Sequence, residues 1–505
     1  SIIPAEVKDE KNTIKKLSQI LSIDYNELFS EFEKRKKQKY EIIRIKTNVS
    51  KEIISEIEEN IIDLPGVIIH MEPQRYYKFG SLAAHIIGYV GEVSEDDIIT
   101  NPEEYSIRDI VGKTGIEKEY NNELKGINGV TQVLVDALGN QIKIIRNIEP
   151  KSGNDCVLTI DFDIQKKAEE LLANKKGTII MIDPKNGEIL ALASSPSFPL
   201  EKFAEKIPIN EWEKIKNDKN HPLINRAISS LYSPGSIFKP IVAIAALEDK
   251  VADETTTFKC AKKFYYGTFE YECWQKEGHG IVDMNRAISE SCDQYFYQLG
   301  LKVGIDRISR YASLFFKKTM IDIPNEKEGI IPSREWKFKK FNEPWYHGDT
   351  IILSIGQGYI TLTPIEILLG YCIIANEGIA YQPHIVKSIG NKSFIPKIIN
   401  KVDISSKTWK IIKNALFSVV NSKNGTGNKA RIEELKVCGK TATIENPKKK
   451  PHAAFVAFAP IEEPKVCVLV LIEESGTGGA VAAPIAKELL KLYQSKYGQT
   501  LATKY

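Results

Sequence analysis

Strand-like segments of this 505-residue chain fall into two groups far apart in sequence, and that separation constrains its fold more than any other feature. The early group is a hairpin, 178–182 and 188–193, around Asp183-Pro184-Lys185-Asn186-Gly187, whose Pro and Gly suit a tight reversal. The late group has three members: a segment running from Leu435-Lys436-Val437-Cys438 into Lys440, then 452–459 and 465–472. Helices are expected at 164–174, through the long middle, and at 480–492. Two early strands and three late ones around a helical insert fit one antiparallel sheet with helices on both faces, an α+β fold.

Ahead of that sheet the chain changes character. Up to Glu149-Pro150, charged amphipathic segments (14–21 and 25–37) alternate with short extended pieces (40–46 and 131–135), which divides the chain into domains 1–150 and 151–505. His85 and Glu117 lie in the first and are read as buried hydrogen-bond partners rather than an acid–base pair.

Three short strings carry the chemistry: Ser236-Ile237-Phe238-Lys239, Ser291-Cys292-Asp293 and Lys440-Thr441-Ala442-Thr443. They supply a nucleophile with a lysine one helical turn away, a second hydroxyl, and a cationic strand edge bearing hydroxyls, the parts for acyl transfer through a serine ester. Ser233-Pro234-Gly235 is a turn signal, and the run Ile241-Val242-Ala243-Ile244-Ala245-Ala246-Leu247 is apolar throughout. Ser236 is therefore expected at the start of a buried helix, with Pro240 in its first turn, where a missing N–H costs least. Positions i and i+3 share a helix face, which brings Lys239 to Ser236. An ordinary lysine, with pKa near ~10.4, is a poor base at neutral pH, so burial and a second cation, Lys440, are expected to lower Lys239 towards ~7–8.

Context also decides between two K-T strings. Lys113-Thr114-Gly115 precedes Ser236 and sits in a loop leading into a helix, whereas Lys440-Thr441-Ala442 leads the three late strands, where backbone and hydroxyls can line a cleft. Lys440 is the one assigned.

Several longer stretches agree: Leu223-Ile224-Asn225-Arg226-Ala227 leading to Tyr232-Ser233-Pro234-Gly235-Ser236, Gly278-His279-Gly280, Ser291-Cys292-Asp293-Gln294-Tyr295-Phe296-Tyr297, Ser354-Ile355-Gly356-Gln357-Gly358-Tyr359, Thr363-Pro364 and Pro383-His384-Ile385-Val386. With the three strings they resemble the penicillin-binding protein 2 family, the class B D,D-transpeptidases of bacterial cell elongation, over nearly the whole chain. The resemblance implies a penicillin-recognising serine transferase fold preceded by an elongated mixed α/β pedestal. Ser236 would attack the carbonyl between two terminal D-alanines of a peptidoglycan stem peptide, and an amine from a neighbouring stem, or water in a carboxypeptidase reaction, would resolve the ester.

In that scheme Lys239 is the base, Ser291 relays a proton to the leaving amine, and backbone N–H groups of Ser236 and Thr443 form the oxyanion hole. Lys440, Thr441 and Thr443 suit the substrate's terminal carboxylate. Asp293 stands where many relatives carry Asn and fits the elongation subclass. Ala442 stands where the family usually has Gly, so its methyl is expected to crowd bulky β-lactam side chains. β-Lactam antibiotics are implied ligands, and a RodA-type glycosyltransferase and MreC are implied partners through the pedestal. The implied location is the periplasmic face of the inner membrane. The family's membrane helix has no counterpart before Ser1-Ile2-Ile3-Pro4, so the chain is expected to be a soluble piece of an anchored protein. No cofactor is implied for catalysis.

The seven cysteines divide. Cys156, Cys372, Cys438 and Cys467 lie in apolar runs and read as small core residues. Cys260, Cys273, His279 and Cys292 have the spacing C-x12-C-x5-H-x12-C, a Cys3His set of the kind that holds tetrahedral zinc. A Cys260–Cys273 disulfide and unlinked thiols are the alternatives. A metal there would brace the loop of Ser291 without entering the chemistry.

A formal charge of +3 from 69 basic and 66 acidic residues argues neither for nucleic acid nor for an anionic surface as a partner, so no nucleic acid is expected, and no run of 18 apolar residues is present. Two other functions share the motifs. A serine β-lactamase needs only about half this length and no pedestal. A penicillin sensor or scaffold would acylate without turning over.

Overall fold

The structure, a computed structural model, describes residues 1–498 apart from 38–41, 72–73, 101–104, 106–108, 137–140, 205–206 and 447–448. The chain forms two compact units, residues 1–75 with 126–152, and residues 76–125 with 153–505.

In the first unit, helices α1 (Glu10–Leu21), α2 (Tyr25–Arg35) and α3 (Lys51–Glu59) each start on a side-chain cap, from Asp9, Asp24 and Ser50. Their apolar stripes meet in one small core: Ile14, Leu17 and Leu21 of α1, Leu28 and Phe32 of α2, and Ile57 of α3 close over Ile2, Ile43, Leu64 and Val67. Ile2 bridges Ile43 and Val67 as extended backbone, so part of the extended piece expected at 40–46 is present; residues 40–41 lie outside the described residues. The piece expected at 131–135 is strand β1 (Val130–Val135), which pairs with β2 (Gln141–Ile148).

The second unit is built on the sheet anticipated from the two strand groups. Helix α4 (Phe162–Leu172), capped by Asp161, leads into the hairpin β3 (Gly177–Ile182) and β4 (Ile189–Ser195). Buried helix α5 (Lys239–Glu248) follows the nucleophile string, and α6 (Asp293–Val303) follows the second string. Helices α7 (Pro364–Ala375) and α8 (Ser406–Asn421) complete the middle. The late strands are β5 (Cys438–Ile444), β6 (His452–Ala459) and β7 (Val466–Ile472), and helix α9 (Ala483–Tyr497) closes the chain. The five strands lie in the order β5-β6-β7-β3-β4, antiparallel throughout, with Leu469 opposite Ile180 at the join between the late and early groups. β3, β6 and β7 are buried almost end to end because helices cover both faces of the sheet.

Residues 76–125 belong to this unit although they precede 150 in the chain. Ile86 and Ile116 enter its main core, the Ala83 N–H donates to Glu169 at 2.7 Å, and Tyr120 donates to Asp322 at 3.1 Å. His85 is buried and bonds the carbonyl of Pro222 through Nε2 at 2.8 Å. Among the described residues no helix is long and apolar enough to cross a membrane.

Candidate active site

The nucleophile string folds as a 3₁₀ turn, Gly235–Phe238, that runs directly into α5. Gly235 has φ +55°, and a Cβ there would stand 3.3 Å from the methyl of Ala442, so the turn needs glycine both for its backbone and for its close approach to β5. The turn is tied down from one side by Gly235 N–H donating to Gly356 at 2.8 Å and by paired backbone bonds between Tyr232 and Leu362. Ser236 stays half-buried while Lys239 disappears completely. As expected, Ser236 opens the buried helical stretch and Pro240 sits in its first turn, where Lys239 is the first α-helical residue.

Ser291 lies between helix Met284–Ser289 and α6, with φ +56°, a left-handed conformation uncommon for a residue with a side chain. This kink turns the Ser291 hydroxyl between two buried lysines. Lys440 Nζ lies 2.8 Å from Ser291 Oγ, and Lys239 Nζ lies 3.3 Å from the same atom. Lys239 also donates to the Ser291 carbonyl at 2.8 Å and to Asp293 Oδ1 at 2.7 Å. Both ammonium groups are fully buried, but only Lys239 has the carboxylate beside it.

The electrostatics follow from that asymmetry. Burial, reinforced by the Lys239 cation, pushes Lys440 well below the ordinary lysine range, and Asp293 opposes this only in part. The sequence suggested the reverse, Lys440 as the cation that lowers Lys239. The Lys239–Asp293 ion pair, invisible in a pattern of spacings, gives Lys239 a direct carboxylate partner, and it is Lys440 that burial and the neighbouring cation push down.

The third string lies on β5, where side chains alternate. Lys440 and Ala442 share the buried side, Thr441 is nearly buried on the other, and Thr443 is exposed. This corrects the expectation for Ala442, whose methyl is 2% exposed and packed towards Gly235 rather than presented to a ligand. Thr441 Oγ1 meets Thr426 Oγ1 at 2.7 Å, and the Thr426 N–H donates to the Ser289 carbonyl at 3.2 Å. Thr426 escaped the sequence reading; its only signal is a hydroxyl in the turn Asn424-Gly425-Thr426-Gly427 ahead of β5.

Behind Ser291 the Cys3His set closes. Cys260 ends the strand Phe258–Cys260, which pairs with Gly280–Val282, while Cys273 follows the strand Phe269–Glu272 and Cys292 follows Ser291. One ligand atom from each of Cys260, Cys273, His279 and Cys292 lies within 4.8 Å of all the others. Two sulfurs each about 2.3 Å from a tetrahedral zinc stand about 3.8 Å apart, so the set has the size for one ion. His279 Nδ1 faces Cys260 Sγ at 3.5 Å and Cys273 Sγ at 3.6 Å, while its buried Nε2 has no hydrogen-bond partner among the described residues. All seven cysteines are free thiols. Hydrogen bonds from Cys292 and His279 bring Cys260 down to about 7 and Cys273 to about 2, and Cys292 rises in exchange. Burial opposes charge on His279, but its bonds to Cys273 and Cys260 outweigh it and carry the imidazole up to about 9. Thiolate character at two sulfurs is what a metal site requires.

Comparison with known proteins finds relatives along nearly the whole chain. The model of the penicillin-binding protein transpeptidase domain matches residues 177–491, and that of the penicillin-binding protein dimerisation domain matches residues 1–158. The chain is 34% identical to the peptidoglycan D,D-transpeptidase MrdA of Haemophilus influenzae over 525 residues, covering 97% of this chain and 80% of the relative. PBP2 of Helicobacter pylori, solved in complex with MreC, has a TM-score of 0.84 at 31% identity, covering 96% of this chain and 92% of that one. A chain from a peptidoglycan synthase complex, solved to show how polymerization and crosslinking are coordinated, has a TM-score of 0.76 at 29% identity, covering 97% and 86%.

Proposed function

Because this chain belongs to the penicillin-binding protein 2 family of peptidoglycan D,D-transpeptidases, we propose that Ser236, Lys239, Ser291 and Lys440 perform its crosslinking reaction in cell elongation. The observation that carries the assignment is the single hydroxyl of Ser291, which lies within hydrogen-bond reach of both buried lysines.

The proton path follows from the charges. Lys239 passes a proton to Ser291 Oγ as Ser291 passes its own to neutral Lys440, which leaves Lys239 neutral and Lys440 charged. Lys239 then takes the proton of Ser236 as its oxygen attacks the D-alanyl carbonyl. Backbone N–H groups of Ser236 and Thr443 hold the developing oxyanion, an effect worth about 2.7–4 kcal/mol per donor where one has been removed from a serine hydrolase. Collapse of the tetrahedral adduct breaks the peptide bond, and Ser291 supplies the leaving D-alanine amine with its proton while Lys239 returns to Ser291 the proton it took from Ser236. Charged Lys440, with Thr441, Thr443 and Thr426, binds the terminal carboxylate. An incoming amine reverses these transfers and releases the crosslinked peptide; with water as acceptor the same steps give carboxypeptidase activity.

A β-lactam follows the acylation half and stalls, since its ring-opened remainder stays attached. Intact-mass measurement after exposure to a penicillin is expected to show one added penicillin on the wild type and none on Ser236→Ala. An adduct lost within seconds would count against a transpeptidase, which must keep water from its ester until an amine arrives.

Cys260, Cys273, His279 and Cys292 are proposed to hold a structural zinc, which when bound fixes the loop that carries Ser291. The size and thiolate character of the set support this. Purified protein is expected to carry about one equivalent, and chelation to lower the melting temperature. Metal-free protein with a Cys260–Cys273 bridge would decide for the disulfide. By likeness to the H. pylori complex MreC is a proposed partner of the pedestal, and the coordination of polymerization with crosslinking in the synthase complex supports a RodA-type glycosyltransferase as a second, at the periplasmic face of the inner membrane.

A further inference from the structure

Trp274, which no motif includes, touches both ends of the Ser291-Cys292-Asp293 turn. Its backbone N–H donates to Asp293 Oδ2 at 3.1 Å, and its indole Nε1–H donates to the carbonyls of Ser291 and Glu290, each at 3.1 Å. Lys239 holds the same two groups through other contacts, Asp293 Oδ1 at 2.7 Å and the Ser291 carbonyl at 2.8 Å. Trp274 and Lys239 thus grip the same two groups, and of this pair only Lys239 is a reactant. The indole also meets His279 edge-on, with ring centroids 5.4 Å apart.

The need for such a grip is visible in the backbone. Ser291 keeps φ +56°, a conformation that persists in a residue with a side chain only where its surroundings over-determine it. If the turn relaxes, the Ser291 hydroxyl leaves the position between Lys239 and Lys440. Trp274 is 57% exposed, so its side chain adds little to the core and its ordered hydrogen bonds call for another reason.

We propose that Trp274 is a positioning residue for acylation: its indole N–H clamps the Ser291 carbonyl and so holds the relay hydroxyl between the two lysines. This rests on the reading of Ser291 as the proton relay. The ring's contact with His279 places the clamp directly on the Cys3His set.

The test replaces Trp274 in the full chain with 3-benzothienylalanine, an indole isostere without the N–H, and alongside it uses Trp274→Phe. A fluorescent penicillin is the probe, with the non-covalent Kd and the acylation rate constant measured separately. Displacement of one relay atom should slow acylation about 10- to 100-fold, while Kd and melting temperature stay at wild-type values. In a Ser291→Ala background the isostere should cause no further loss, because there is no hydroxyl left to position. Wild-type acylation by the isostere overturns the proposal, as does a loss confined to Kd, which would make Trp274 a ligand contact. Wild-type acylation by Ser291→Ala alone overturns the relay reading itself, and does so without reference to Trp274.

Discussion

Lys239 pairs directly with the Asp293 carboxylate, whereas burial and the Lys239 cation push Lys440 down. Arginine cannot be neutral at any working pH, so Lys440→Arg is expected to slow acylation at least about 100-fold although the positive charge is kept. Lys239→Arg should do the same, because the proposed path needs both lysines to exchange a proton through Ser291. Stopped-flow acylation of either variant at near-wild-type rate would remove that lysine from the path. Ala442 gives a subtler case. With its methyl packed towards Gly235, Ala442→Gly should cost about 1–2 kcal/mol in urea unfolding, from lost burial and a freer strand backbone, and should alter acylation by small and bulky penicillins equally. A gain confined to bulky penicillins would restore the expectation drawn from the sequence. His85 makes a pH prediction. Burial, against the pull of the Pro222 carbonyl, lowers it from about 6.5 to about 4, so between those values the unfolded chain binds a proton that the folded one refuses. Stability is then lost as pH falls from about 6.5 to about 4, by about 3 kcal/mol at most, and His85→Gln should flatten that slope.

Among the elements, β5 carries the most. Its position beside the nucleophile turn depends on Gly478, at the head of a five-residue π-turn before α9, where a Cβ would lie 2.2 Å from the Ala454 carbonyl oxygen and 2.5 Å from that of Ala442. Gly478→Ala must move backbone on β5 or β6, and a loss of about 1–3 kcal/mol together with most of the acylation rate is expected from thermal melts and penicillin labelling. The elements themselves were largely legible: the hairpin at 178–193 and the strands at 452–459 and 465–472 announce themselves by β-branched runs and turn residues, and α5 by its apolar run. Single strings also located Ser236, Ser291 and Lys440. Three things could not be read. The Lys239–Asp293 pair depends on the kink at Ser291; Thr426 and Trp274 reach their partners from loops with no periodicity; and the inward face of Ala442 depends on which side of β5 meets Gly235.

For the whole molecule, the limit of sequence reading shows at residues 76–125. Their charged and short extended pieces resemble the rest of 1–150, yet Ile86 and Ile116 enter the core of the second unit, a partition that only long-range packing reveals. The sheet order has a consequence for the chain while it is being made. β3 has only β4 beside it until residues 466–472 exist, since its other neighbour is β7, and the lysine of β5 reaches Ser291 only when β5, β6 and β7 have joined that edge. Pairings so distant in sequence form late and slowly. A nascent chain therefore carries Ser236 without the second lysine while residues 237–439 are being made, and the enzyme's ability to be acylated, by substrate or by antibiotic, has to wait for the late strands to be translated and paired.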